Sequence, residues 1–329
     1  FYITATDPAG PWSDPIWLPT AVGIDPSLFW DDDGKCYYVG NRWDKKTANA
    51  WPGQTSIWLQ EFDIKNNRLV GEQKQLTFGH ANNARYTEAP HIYKIKGRYL
   101  LMIGEGGTDQ NHAVTVHHSE SIFGPYVADQ INPVITHRHL GTQAYIQAVG
   151  HADLVQTQDG DWWAVLLAKR SVDGEVPLGR ETFLCKVDFE GNTPIFNSGS
   201  GKVLEEQLLP SLRRSADDSA EGSDKQDVDH WYTIRKPQSN FFQINNGRVS
   251  ISLTANSLDS LSHAPVLLRK VTDHRFVASV ALDADKRLPQ GAVAGMVLYR
   301  TTNSYYLLVK EDAHIVLYKK FKDKKDIIA

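Results

Sequence analysis

Three segments of this 329-residue chain align on one another without a gap, at a constant step of 63 residues. They are Asp25-Pro-Ser-Leu-Phe-Trp-Asp-Asp-Asp-Gly34, Glu88-Ala-Pro-His-Ile-Tyr-Lys-Ile-Lys-Gly97 and His151-Ala-Asp-Leu-Val-Gln-Thr-Gln-Asp-Gly160. Each opens on an ionisable residue, closes on glycine, and is followed by an aromatic-rich run: Cys36–Val39, Tyr99–Met102 and Trp162–Val165. So long a period with β-rich content predicts propeller blades and not a helical solenoid. Glycine supplies the positive φ of a two-residue hairpin, so Asp33-Gly34, Lys96-Gly97 and Asp159-Gly160 are read as turns between two strands. The strand before each turn would be the innermost of its blade. Asp25, Glu88 and His151 would then converge on one central channel. No stretch up to residue 200 carries a sustained apolar period of a helix, so helices should be few.

The remaining chain divides by composition. Residues 1–210 are assigned to the partial propeller, 211–230 to a polar linker, and 231–329 to a β-sandwich. The sandwich rests on short apolar strands separated by turn residues: Arg248–Leu253, Pro265–Leu268, Phe276–Leu282, Ala294–Tyr299, Tyr305–Val309 and His314–Tyr318. No last strand is evident in Lys319–Ala329, whose lysines suit an exposed sheet edge. Three units cannot close a ring, and the chain starts without Met in mid-strand. It reads as a fragment lacking the first blade or more, with a sandwich that is itself incomplete.

A net charge of −4 lacks the basic footprint of a nucleic-acid binder, and no apolar run spans a bilayer. No nucleic-acid or membrane partner is expected. Cys36 and Cys185 form neither a disulfide framework nor a metal pair by spacing. Of the histidines, His91, His112, His117, His118, His137 and His139 make no helical metal motif and are read mostly as solvated loop residues. Trp43, just after a second strand, could stack on a sugar ring or pack within the propeller.

A carboxylate pair on one axis suits glycoside hydrolysis, in which one acid protonates the leaving oxygen and another carboxylate activates water or attacks the sugar. Tyr86, Ala89 and Pro90 around Glu88 offer little solvation, a setting that raises a carboxyl pKa. The residues alone leave open that Asp25 and Glu88 merely cap strand ends.

The stretch from Asp25 to Arg180 resembles glycoside hydrolase family 43, the five-bladed propeller β-xylosidases and α-L-arabinofuranosidases. The matching motifs are Gly23-Ile-Asp25-Pro-Ser-Leu-Phe29, Tyr86-Thr-Glu88-Ala-Pro-His-Ile-Tyr93, Glu105-Gly-Gly-Thr108, Ser121-Ile-Phe-Gly-Pro-Tyr126, Gly150-His151-Ala-Asp-Leu-Val155 and Pro177-Leu-Gly-Arg180-Glu-Thr182. The resemblance implies that Glu88 is the general acid and that Asp25 tunes its pKa and orients substrate. It implies further that Arg180 hydrogen-bonds the sugar and that Thr108 lines the same subsite. No cofactor is required, though His151 would sit where family members hold water or a cation such as Ca²⁺. The family's general base would precede Phe1, leaving this chain alone an incomplete catalyst. The implied activity is an inverting exo-glycosidase on xylo- or arabinoxylo-oligosaccharides, and the family's habit is secretion. Three alternatives remain: a non-catalytic carbohydrate-binding propeller, a protein-interaction propeller, and a retaining β-fructosidase, which expects Arg-Asp-Pro where this chain has Ile24-Asp25-Pro26 and Glu-Cys where it has Glu88-Ala89.

Overall fold

Each repeat folds as one antiparallel sheet, of four strands in the first and third and five in the second, paired essentially in chain order. The computed structural model describes residues 1–43, 50–208, 231–237, 239–245, 247–283 and 288–329. The first sheet comprises β1 (Ser27–Trp30), β2 (Cys36–Arg42), β3 (Ser56–Asp63) and β4 (Arg68–Thr77). The second has β5 (Glu88–Ile95), β6 (Arg98–Glu105) and β7 (Ala113–Ser119), with an outer strand split into β8 (Val127–Ala128) and β9 (Ile135–Thr136). The third runs β10 (Ile146–Gln156), β11 (Trp162–Arg170), β12 (Glu181–Glu190) and β13 (Thr193–Phe196). Ahead of them, Tyr2 bridges Ile16. Among the described residues the only helical element is the single turn Arg138–Leu140.

The alternation along β6 explains how the blades stack. Tyr99, Leu101 and Ile103 pack on Tyr37, Val39, Ile57 and Leu59 of the first sheet. Leu100 and Met102, pointing the other way, pack on Val149, Leu154, Ala164 and Leu166 of the third. The strand is apolar on both faces because both faces are covered, which the aromatic-rich sequence had no other reason to be. Hydrogen bonds between blades recur at, or one residue off, the period of the sequence: Ser27 Oγ donates to Pro90 O (2.7 Å) and Lys94 Nζ to Asp31 Oδ1 (2.8 Å), both 63 residues apart, and Thr193 Oγ1 to Asp129 Oδ2 (2.5 Å), 64 apart. Each such bond contributes about 1 kcal/mol net, whereas each buried Leu, Ile or Met contributes roughly 1.5–3 kcal/mol. The apolar faces therefore dominate blade stacking.

The turns only partly match expectation. Lys96-Gly97 is a two-residue hairpin with both residues at positive φ (48° and 81°). In the other two units the last strand pairs are Trp30–Cys36 and Gln156–Trp162, so the connections are wider, with Gly34 and Gly160 at φ 80° and 90°.

The chain divides into two compact units, Phe1–Leu212 and Arg213–Ala329. The polar linker read at 211–230 lies outside the described residues. The second unit contains the hairpin β14 (Phe242–Asn245) and β15 (Arg248–Ile251), and a meander of β16 (Val293–Thr301), β17 (Ser304–Glu311), β18 (His314–Phe321) and β19 (Lys324–Ile327). Two expected strands are absent from it. Phe276–Leu282 pairs with nothing among the described residues, and Pro265–Leu268 is reduced to one bridge between Leu268 and Tyr232. The lysine-rich end forms the exposed sheet edge its lysines suit, and it holds the last strand that the sequence did not make evident. A two-residue turn at Lys322-Asp323, with Lys322 at φ 57°, folds β19 back on β18 as the sheet's edge.

Candidate active site

Asp25 lies just ahead of β1 and Glu88 opens β5, whereas His151 falls in the middle of β10, and the backbone is bent the same way at or one residue after each aligned position. Asp25, Ala89 and His151 all adopt left-handed φ (50°, 51° and 49°), a region that costs non-glycine residues energy. In β5 the register slips between Glu88, opposite Gly104, and His91, opposite Met102; in β10 it slips between Gly150 and Asp153. Bulges of this kind bend a strand and redirect its side chains. Asp25 is positioned by Gly23: a Cβ there would lie 1.5 Å from the Asn41 carbonyl oxygen. That close approach lets the Asn41 side chain accept from the Ile24 amide (2.9 Å). Glu88 follows Thr87, a fully buried residue whose carbonyl accepts from Thr55 Oγ1 (2.9 Å).

Charges reveal which of these groups share a neighbourhood. Burial pushes the half-buried Glu88 carboxyl above the ordinary carboxylate range, and the charge of Asp25 adds to the effect. His91 is pushed down by burial, against the pull of Asp153 and Asp25, and His151 adds to the lowering. Its Nδ1 stands 3.5 Å from Asp153 Oδ1. His112 falls to about 4 through burial, with further lowering from His151, Lys169 and Arg180. Asp25, Glu88 and His151 thus act on one cluster of groups although 63 residues separate each from the next. Arg180 is exposed at its margin, beside Glu181, which is paired with both Nε and Nη2 of Arg170 (2.7–3.1 Å).

An aromatic rim lies next to Glu88. Trp43 is 45% exposed and meets Tyr86 at 6.0 Å with the ring planes 63° apart. Tyr86 in turn packs against Gly107, where a Cβ would sit 3.1 Å from its ring, and the next residue is the exposed Thr108.

The histidines depart most from the sequence reading. His112, His117 and His137 are buried (4%, 1% and 3% exposed) and not solvated loop residues. The His112 ring lies flat over Gly150, where a Cβ would fall 2.4 Å from it, and its Nδ1 meets Ala148 O at 2.9 Å. No spacing rule marks this residue, because its place depends on a glycine in another blade. His91 was hidden for a related reason: the bulge shifts it out of simple alternation with Glu88. As for a cation, Ca²⁺ takes six to eight oxygen ligands. The groups acting with His151 include the nitrogens of His91 and His112, and no cluster of three His, Cys, Asp or Glu side chains suited to a metal forms among the described residues. These residues do not make a calcium cage.

Residues 1–194 match the model for glycosyl hydrolases family 43, and residues 224–328 that for the beta xylosidase C-terminal concanavalin A-like domain. A xylosidase/arabinosidase of Butyrivibrio fibrisolvens is 37% identical over 323 residues, covering 94% of this chain and 61% of its own length. A non-reducing end alpha-L-arabinofuranosidase of Bacteroides ovatus is 31% identical over 324 residues, with 94% and 57% covered. A solved xylan beta-1,4-xylosidase from Bacillus halodurans superposes with a TM-score of 0.76 at 27% identity, over 99% of this chain and 64% of that one. The chain therefore spans about three fifths of the length of these relatives. With propeller blades followed by a β-sandwich domain, and the family's model matched through all three blades, the chain belongs to glycosyl hydrolase family 43.

Proposed function

We propose that this chain carries the general acid of an inverting, exo-acting β-xylosidase or α-L-arabinofuranosidase that works on xylo- or arabinoxylo-oligosaccharides. The observation that supports it is the Glu88 carboxyl, held above its ordinary range by burial and by Asp25 at the start of an inner strand. A carboxyl whose protonated form is favoured over its ordinary balance is what leaving-group protonation requires. Glu88 passes its proton to the glycosidic oxygen as the bond from that oxygen to the sugar's anomeric carbon breaks. Water adds to the opposite face of that carbon and loses a proton to a general base. Asp25 keeps Glu88 protonated and orients the sugar. Arg180 hydrogen-bonds the bound sugar, Thr108 lines its subsite, and Trp43 stacks on a ring. The names of the two curated relatives span both xylose and arabinofuranose chemistry, which favours this substrate class. A polymeric xylan source suits an extracellular enzyme, and cell fractionation tests that part.

The test is to compare the full protein with its Glu88→Gln variant on xylobiose, an aryl xyloside and an aryl arabinofuranoside. Turnover of xylobiose should fall about 10²–10⁴-fold in the variant while xylose binding, followed by calorimetry, persists. A protein that binds sugar yet turns over none of the three substrates would be a carbohydrate-binding propeller instead.

A further inference from the structure

We infer that Glu105 is a positioning residue for the Glu88 acid, acting through the connection between β4 and β5; this rests on Glu88 being the acid. Glu105 ends β6, one residue beyond Gly104, the register partner of Glu88. By strand alternation its side chain leaves the face that Gly104 presents to Ala89, His112 and His151, and follows Tyr99, Leu101 and Ile103 towards the first blade. It is therefore adjacent to the acid in the sheet but reaches substrate from neither face.

What Glu105 does hold is the chain that delivers Glu88. Its carboxylate is 3% exposed and accepts three hydrogen bonds. The His80 amide donates to Oε1 (2.9 Å), the His80 ring to Oε2 from Nδ1 (2.5 Å), and Thr115 Oγ1 to Oε1 (2.8 Å). Burial alone would raise this carboxyl, but the bonds from His80 and Thr115 outweigh it and keep it below its ordinary range. An anion so buried and so fully satisfied fixes its donors in place.

The fixed donors lead directly to the acid. Gly79, at φ 120°, threads between them: a Cβ there would lie 3.0 Å from both Glu105 Oε1 and Thr87 Oγ1, and 2.5 Å from the Ala84 Cβ. Thr87 Oγ1 donates to Phe78 O (2.9 Å), closing the connection on itself immediately before Glu88. The far side of the same connection is tied to its neighbours by Tyr86 N to Gly53 O (2.7 Å) and Gly106 N to Arg85 O (2.8 Å). Loosening His80 from Glu105 frees the Phe78–Thr87 contact and with it the angle at which Glu88 enters the site.

Leaving-group chemistry separates positioning of an acid from a general loss of structure. Xylobiose needs its leaving oxygen protonated, whereas dinitrophenolate departs without a proton. In the full protein, Glu105→Gln and His80→Ala should each lower kcat/KM on xylobiose about 10-fold or more, mostly in kcat, and leave a dinitrophenyl xyloside within about 3-fold. Glu88→Gln is the control and should show the same selectivity more strongly. If Glu105→Gln does not fold, His80→Ala decides, since that ring is 22% exposed and tolerates truncation. An equal loss on both substrates, or no loss on either, overturns the role of Glu105. A Glu88→Gln variant without selectivity would instead overturn the acid assignment itself.

Discussion

Burial and a like charge act in the same direction on Glu88, and both penalise its ionised form. General-acid work needs the protonated form, so activity should fall as pH rises through the raised pKa. Replacing Asp25 by Asn removes one of the two causes, and the alkaline limb of kcat/KM should move to lower pH. A limb that stays in place in Asp25→Asn would mean the two carboxyls do not feel each other. The same elevation has a stability consequence. Because the folded-state pKa is above the unfolded one, the favourable contribution of Glu88 is present at acid pH and is lost as pH rises through the folded pKa. Glu88→Gln, which is neutral throughout, should therefore raise Tm at neutral to alkaline pH, with the gain vanishing at acid pH. Melting curves at the two pH values check the sign. These residues were legible because they occupy aligned positions of a repeat. Glu105 stands in a motif that carries the family resemblance, but its role and His80 were not legible, since that role depends on contacts across sequence separations that no motif spacing encodes.

At the scale of elements, the inner strands carry the information and the bulges refine it. The sequence period gives the strands and their order, because each blade repeats the same alternation between covered faces. It does not give the register slip at Ala89 or His151, where a non-glycine residue adopts left-handed φ. Nor does local pattern suffice where pairing decides. The run Phe276–Leu282 has the composition of a strand, yet Val277 is 98% exposed and the segment finds no partner among the described residues. Conversely, the lysines of β19 obscure a strand that a two-residue turn makes possible. The contact between β10 and His112 offers the sharpest test at this level. Gly150→Ala would drive a methyl group to within 2.4 Å of a ring that is only 4% exposed and anchored on Ala148. Overpacking of this kind costs about 1–3 kcal/mol. Urea unfolding should show that loss, and kcat should drop with it as His112 and the neighbouring His151 shift. A variant of unchanged stability would place the ring elsewhere.

For the propeller unit as a whole, the question is whether blades built from one repeat unfold one at a time or together. Repeat arrays lose cooperativity when each unit touches its neighbours weakly. Here β6 contributes alternate residues to two apolar clusters, one shared with the first blade and one with the third, so neither outer blade can open without exposing a face of the middle one. The two cysteines report on this from opposite ends. Cys36 packs with Leu18, Tyr38, Trp58 and Phe62 in the first blade, and Cys185 lies in the cluster between the second and third. Both thiols are buried, with burial pushing them to about 11 and about 12, so neither offers thiolate to an alkylating reagent in the folded state. The second compact unit contains no cysteine, so it adds no signal. Pulsed alkylation across a urea series, read by mass spectrometry of the two peptides, should therefore give one midpoint for Cys36 and Cys185. Labelling of either thiol at lower denaturant would show that its blade opens alone and that the shared faces of β6 do not couple the three.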